Sequence, residues 1–230
     1  MATAATKKID LEITSDSICP FCFVGYRRIQ QAIRIAKERS LPLSFSLRFA
    51  PFLLDPTLPP SPGESKRERY VRRFGGEERV RQMEEAMKER GRACDPPIEF
   101  SYGGNVSQTT DSHRLIEKAR ELKGEEGQLA LVERLFKTYF EEEGDPASHE
   151  LLARDAVTTG IFPSADEARA FLASDELKDS VAAGIKKAQL RGITGVPFTI
   201  INGQLGVSGA QEVDTFVKVF EQIASGELEA

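Results

Sequence analysis

The chain has 230 residues, 40% of them apolar and 29% charged, with a net charge of −5 and three cysteines. That balance supports a sizeable hydrophobic core. No run approaches the roughly 18 consecutive apolar residues of a membrane span, and the negative charge argues against a nucleic-acid partner. The first residues, MATAATKKIDLEI, contain neither an apolar signal core nor an Arg-rich amphipathic segment, and the final GELEA matches no sorting or lipidation signal. The cytoplasm is therefore the expected compartment, where structural disulfides are rare and a close cysteine pair points to catalysis or metal binding.

Ile9, Leu11 and Ile13 alternate with polar residues and predict a strand. From Cys22, the spacing of Tyr26, Ile29, Ile33 and Ala36 predicts a helix that ends near KERS. Leu43, Phe45, Leu47 and Phe49 predict a second strand. This β-α-β unit implies two parallel strands joined by a crossover. PFLLDPTLPPSPGE is a proline-rich loop. From about Ser65 to Gln189 the pattern is almost wholly helical, carried by Val80, Met83 and Met87, by Leu115, Ala119 and Leu122, by Leu129, Val132, Phe136 and Tyr139, and by Leu177, Val181, Ile185 and Ala188. Ser148 stands where a helix cap belongs. The basic run KRERYVRR, Lys66 to Arg73, reads as a solvated helix face. VPFTIING and QLGVSG predict a hairpin turning at Asn202-Gly203, and Val213 to Ile223 a final amphipathic helix, with Gly209–Gln211 at its start. The order is an α/β domain split by a helical insertion: residues 1–55 and 190–230 enclose an insertion at 56–189.

In SDSICPFCFVG, Cys19 falls where the first strand gives way to the first helix, and Pro20 suits the first helical turn. Cysteines at i and i+3 of a helix start share a face, with Cα atoms roughly 5–6 Å apart, inside the disulfide window. Free N–H groups and the positive helix end favour a thiolate at Cys19. Cys22 lies a turn deeper, shielded by Phe21 and Phe23. One nucleophile and one resolving thiol are what thiol–disulfide exchange requires. Asp16, if close, opposes ionisation. Half a zinc site is the competing reading, but the chain adds only Cys94, His113 and His149, unpaired in sequence, to a metal that takes four ligands. In GITGVPFTIING, Val196-Pro197 opens a strand that should be central. A proline there is either trans at a strand start or cis. With the upstream cysteine pair, the cis isomer is the expectation, with Pro197 turned toward the cysteines and the Val196 backbone free to pair with an extended substrate.

SDSICPFCFVG, the helical block, GVPFTIING and VSGAQ together resemble the DsbA-like thioredoxin superfamily. More narrowly, the chain is similar to the FrnE-like branch and its relatives, the 2-hydroxychromene-2-carboxylate isomerases and kappa-class glutathione transferases. It covers essentially the whole chain. It implies a thioredoxin fold with an all-helical insertion, redox-active Cys19 and Cys22, and cis Pro197 beside them. Phe21 departs from the branch, which typically has tryptophan there. The isomerase and transferase relatives usually carry serine at the first cysteine position, so two thiols favour redox chemistry here.

The resulting expectation is a dithiol–disulfide oxidoreductase. Cys19, Cys22 and Pro197 are catalytic, and Pro20, Phe21, Val196, His113 and Gln211 contact substrate. There is no tightly bound cofactor or metal. The substrate is a disulfide-bearing protein or a small thiol or disulfide, and glutathione or thioredoxin is the redox partner. His113 is read either as a substrate contact or as a surface residue at a helix start, Gln211 as a contact or as part of a cap, and Cys94 as a helix-end bystander or a regulatory thiol. The relatives admit a homodimer. A glutathione-dependent transferase or isomerase is the alternative activity, and a non-catalytic binding or zinc module the third.

Overall fold

A computed structural model describes residues 6–229. Residues 1–5 and 230, which belong to the expected outer segments of the chain, lie outside the described residues. The elements run β1 (Lys7–Ser15), α1 (Pro20–Glu38), β2 (Leu43–Pro51), β3 (Glu64–Ser65), α2 (Lys66–Phe74), α3 (Glu77–Arg92), β4 (Asn105–Val106) and α4 (Thr110–Phe140). They continue through α5 (His149–Thr158), α6 (Ala165–Ala173), α7 (Lys178–Leu190), β5 (Phe198–Ile201), β6 (Leu205–Ser208) and α8 (Val213–Ser225).

The main sheet has the order β2-β1-β5-β6. β1 pairs with β2 in parallel, Ile9 opposite Phe45 and Ile13 opposite Phe49. It pairs with β5 in antiparallel register, Ile13 opposite Thr199. The parallel pair needs the crossover that α1 supplies. The β5–β6 hairpin turns through Asn202 and Gly203, both in the left-handed region (φ 50° and 74°) that this dipeptide tolerates.

Alternation along β1 puts Ile9, Leu11 and Ile13 on one face, where α1 and α8 pack together. Phe216, Val217, Phe220 and Ile223 form the buried stripe of α8, and Phe220 meets Phe45 edge-on at 4.8 Å. Phe23 of α1 stacks on Phe136 of α4 at 4.9 Å and meets Phe100 and Phe140. One buried cluster thus takes side chains from the sheet, from α1 and α8, and from the helices between residues 56 and 189.

Polar groups fix the helices of that middle segment. α4 breaks at Gly124 (φ 66°, ψ −152°), a conformation that favours glycine, which explains why its apolar series read as two helices. At its first turn the fully buried Arg114 pairs with Asp111 and donates to the carbonyl oxygens of Phe171, Leu172, Ser174 and Glu176 at 2.7–3.1 Å. A cation there satisfies the free carbonyls at the C-terminal end of α6. Ser65, Ser148 and Ser164 cap α2, α5 and α6 by accepting from the N–H groups of Glu68, Leu151 and Glu167.

Several expectations need correction. The insertion is not all helical, because β3 and β4 form a small antiparallel pair inside it. Met83 and Leu122 keep the helical spacing of their series but are exposed. Leu177 precedes α7 at φ 63° instead of joining it. α8 starts at Val213, so Gly209–Gln211 form the turn before it. The run Lys66–Arg73 is a solvated face only in part. Its arginines are neutralised one by one: Arg67 by Glu77 and Glu84, Arg69 by Asp55 and Glu64, Arg72 by Glu64, and Arg73 by Asp55. Lys66 is buried, its Nζ 4.0 Å above the Tyr139 ring and 3.3 Å from the Tyr139 carbonyl oxygen.

Burial pulls the Lys66 ammonium down to about 8, against about 10.4 in an unfolded chain. The folded state therefore holds this proton less tightly. The cost to stability is complete below pH 8 and disappears as pH rises past the unfolded value. Lys66→Met is expected to stabilise the protein at neutral pH by on the order of 1–3 kcal/mol, with the gain fading between roughly pH 8 and 10.5. Urea unfolding of both proteins across that range checks it; a gap independent of pH refutes it.

Candidate active site

β1 delivers the chain into the site. Its last residue, Ser15, is followed by a short buried loop, and Cys19 then stands as the N-cap of α1 with extended backbone (φ −90°, ψ 112°). The Cys19 N–H donates to Asp16 O at 3.1 Å, and the Cys19 carbonyl accepts from the Cys22 N–H at 3.0 Å. Pro20 occupies the first helical turn. The Cys19 side chain makes no cap bond, so its sulfur is available while helix N–H groups converge beside it. Both cysteines are unpaired thiols, Cys19 3% exposed and Cys22 fully enclosed. Burial pushes the Cys22 thiol well above its ordinary range, and the contact with Cys19 pushes the same way, against opposing contacts with Ser15 and the Asp16 backbone. The pair is thus asymmetric: one sulfur at an opening, one held protonated behind it.

The second wall comes from the other half of the sheet. The Val196–Pro197 bond is cis, and the Cys19 thiol donates to the Val196 carbonyl at 3.5 Å. Gly25 in α1 permits this approach, since a Cβ there would stand 3.2 Å from Pro197 Cγ and 3.4 Å from Ala210 Cβ.

Cys19, Pro20, Phe21 and Val196 open into a cavity of about 370 Å³, whose remaining wall is built by α2, α3, α4 and adjoining segments. Tyr70, Met83, Met87, Tyr102 and Tyr139 make that wall apolar and aromatic. Phe21, Leu54 and Met83 are three of the five large apolar side chains exposed among the described residues, and all three line this one cavity. Exposed apolar groups gathered around one opening mark a binding surface. At its edge burial opposes the charge of Asp55, but the Thr57 hydroxyl and N–H and the Arg69 guanidinium outweigh it and hold the carboxyl at about 2. Sequence reasoning missed Tyr70, Met83, Tyr102 and Tyr139 as site residues. Helical spacing identifies a face, but not that α2 and α3 turn it toward a cysteine on another segment.

Phe21 lines the cavity but is 43% exposed, with the Arg90 guanidinium 5.9 Å from its ring centre, so it does not enclose Cys22 as expected. Other expected residues lie elsewhere. His113 is buried, not on the surface, and does not line the Cys19 cavity. Its Nε2 lies 2.9 Å from Phe52 O and 3.5 Å from Asp16 Oδ1. The neighbouring Ser112 hydroxyl meets that of Ser17 at 2.8 Å, so this turn of α4 braces the cysteine loop from behind. Gln211 is exposed, its amide donating to Ser208 O at 2.8 Å, and it too lies outside the cavity. Cys94 follows the end of α3 and donates to Arg90 O at 3.3 Å. Among the described residues no three His, Cys, Asp or Glu side chains gather as metal ligands.

From this asymmetry, iodoacetamide at about pH 8 is expected to alkylate Cys19 first and Cys22 last in the folded, reduced protein. Peptide mass mapping against time checks the order; early label on Cys22 contradicts it.

Comparison with known proteins agrees with this architecture. The DSBA-like thioredoxin domain family matches residues 10–221. Among curated proteins none matches. Among solved structures, a probable DsbA oxidoreductase from Streptomyces coelicolor aligns over 96% of this chain and 92% of its own, with 28% identity and a TM-score of 0.82. A 2-hydroxychromene-2-carboxylate isomerase aligns over 96% and 100%, with 14% identity and a TM-score of 0.67. The cytosolic disulfide reductase DsbM from Pseudomonas aeruginosa, solved with GSH, aligns over 94% and 99%, with 14% identity and a TM-score of 0.59. The last two bear on the fold alone. With the family matched across nearly its whole length, the chain belongs to the DsbA-like thioredoxin family.

Proposed function

We propose that this protein is a thiol–disulfide oxidoreductase in which Cys19 is the nucleophile and Cys22 the resolving thiol. The observation that carries the reading is the Cys19 sulfur at the N-terminus of α1, in contact with a buried Cys22 and opening into a cavity. The Cys19 thiolate attacks one sulfur of a substrate disulfide. The Cys19–substrate bond forms, the substrate S–S bond breaks, and the departing thiolate takes a proton. Cys22 then gives up its proton and attacks Cys19. The Cys19–Cys22 bond forms and the second substrate thiol leaves, so the dithiol has passed two electrons to the substrate. The backbone at Val196, next to the reacting sulfur, supports an extended substrate in the manner of an added strand, with Pro197 and Pro20 flanking it.

The reduced enzyme is regenerated when the Cys19–Cys22 disulfide takes two electrons from a thiol reductant, glutathione or thioredoxin. In the cytoplasm, where this reading places the protein, that poise favours reduction or isomerisation over oxidation. Among the described residues no helix is long and apolar enough to cross a membrane. The GSH-bound disulfide reductase among the structural neighbours makes glutathione the first reductant to try.

The aromatic lining of the cavity favours a second reading, a glutathione-dependent transferase or isomerase acting on a small aromatic electrophile. Such a reaction has no need of Cys22.

Reduction of a peptide disulfide in a glutathione-coupled assay separates the two. Cys19→Ser is expected to lower turnover by about a hundredfold or more. Cys22→Ser is expected to stop after one event, with the substrate fragment retained on Cys19 and visible by intact mass. Cys94→Ser keeps full activity. Unchanged turnover in Cys19→Ser rejects the mechanism; full glutathione-dependent conversion of an aromatic electrophile by Cys22→Ser selects the second reading.

A further inference from the structure

A second cavity, about 220 Å³, lies between β1, β2, α4 and α7. Glu12 and Thr14 line it from the sheet face away from α1 and α8, and Phe49, in register with Ile13, lines it from the other face, so it lies around the β2 edge of the sheet. It shares no lining residue with the Cys19 cavity. Its volume is below the roughly 300–1,000 Å³ of pockets for drug-sized ligands, so any occupant is compact. Phe49, Ile116 and Phe136 give it apolar walls. Two polar groups there already have partners: His113 on Phe52 O, and Gln128 on the N–H and C=O of Phe49.

The charges are out of balance. Four cations line the cavity, Arg48, Arg120, Lys187 and Arg191, against two carboxylates, Glu12 and Glu117. This is a local excess of positive charge in a chain of net charge −5. Glu12 is taken by Arg48 and by Arg191, the latter at 2.7 Å, and Glu117 accepts from the Ser180 hydroxyl. Arg120 is left over. Among the described residues it has no hydrogen bond or ion pair, and its Nη1 is shut off from solvent. An enclosed guanidinium N–H without an acceptor is costly. Desolvation lowers the Arg48 pKa, and repulsion from Arg120 and Arg191 adds to it, crowding that an incoming anion would relieve.

We propose that this cavity binds a compact organic anion, with its charged oxygen head on the Arg120 guanidinium and its apolar body against Phe49, Ile116 and Phe136. A planar N–H fork suits carboxylate and phosphate alike.

Isothermal titration of the full-length reduced protein with benzoate, phenyl phosphate and the neutral benzamide tests this and identifies the head group. At least one anion binds at a 1:1 ratio, and benzamide binds about tenfold more weakly or worse. Arg120→Gln weakens the anion by about tenfold, Arg120→Lys recovers part of the loss, and Cys19→Ser changes nothing. If Arg120→Gln does not fold by circular dichroism, the exposed Lys187→Gln decides, weaker anion binding supporting the site and unchanged binding rejecting it. The proposal is overturned if neither anion binds, if benzamide binds equally well, if folded Arg120→Gln binds normally, or if Cys19→Ser abolishes binding. None of these outcomes depends on redox activity, so this site and the oxidoreductase mechanism stand or fall separately.

Discussion

β1 is hydrogen-bonded along both edges, to β2 in parallel and to β5 in antiparallel register. Everything at the cysteine site depends on that double constraint. The strand ends at Ser15 and the helix begins at Pro20, so the position of Cys19 is set by a fixed strand on one side and a packed helix on the other. β5 leaves the same strand in the opposite sense, which brings Val196, just before it, back to the Cys19 sulfur. A loop so short between two rigid elements gives the nucleophile little freedom, which is what a positioned reactive group requires.

The helical segment between the two halves of the sheet supplies what the small sheet lacks. Phe136 and Phe140 complete the core around Phe23, and α2 and α3 build the far wall of the Cys19 cavity. That wall is held by charge as well as packing. Asp55, in the loop after β2, joins Arg69 and Arg73 of α2. The apolar cavity therefore has an ionic border at its edge, with both signs present.

Much of this was legible in the sequence because it is periodic or local. Alternation at Ile9–Ile13 and Leu43–Phe49, helical spacing at Tyr26–Ala36 and the Asn202-Gly203 turn each report on backbone within a few residues. The cysteine pair and Val196-Pro197 were legible because their residue types at strand ends have few other uses. What escaped is set by contacts across long stretches of chain. His113 reads as a substrate contact or a surface residue because a helix start is usually exposed, yet α4 begins inside the molecule, against Asp16 and Ser17. Gln211 reads as a helix start because Gly-Ala-Gln precedes an amphipathic run, yet α8 begins two residues later. Lys66 heads a basic run whose remaining charges face carboxylates, while its own Nζ is folded over Tyr139. Nothing in a local pattern separates it from its neighbours.

The outer edge of the sheet at β2 has a further consequence. The Phe49 N–H and C=O, which point away from β1, are both met by the Gln128 amide, at 2.9 and 3.3 Å, and the Ser46 hydroxyl bonds to Glu125 of the same helix. Gln128 imitates a neighbouring strand at the point where a real one would dock. At Phe49 the longer border of the sheet is thus occupied by a helix side chain. The opposite border is β6, four residues long with Gly206 in its middle. A strand added at the β2 edge would first have to displace Gln128 from Phe49.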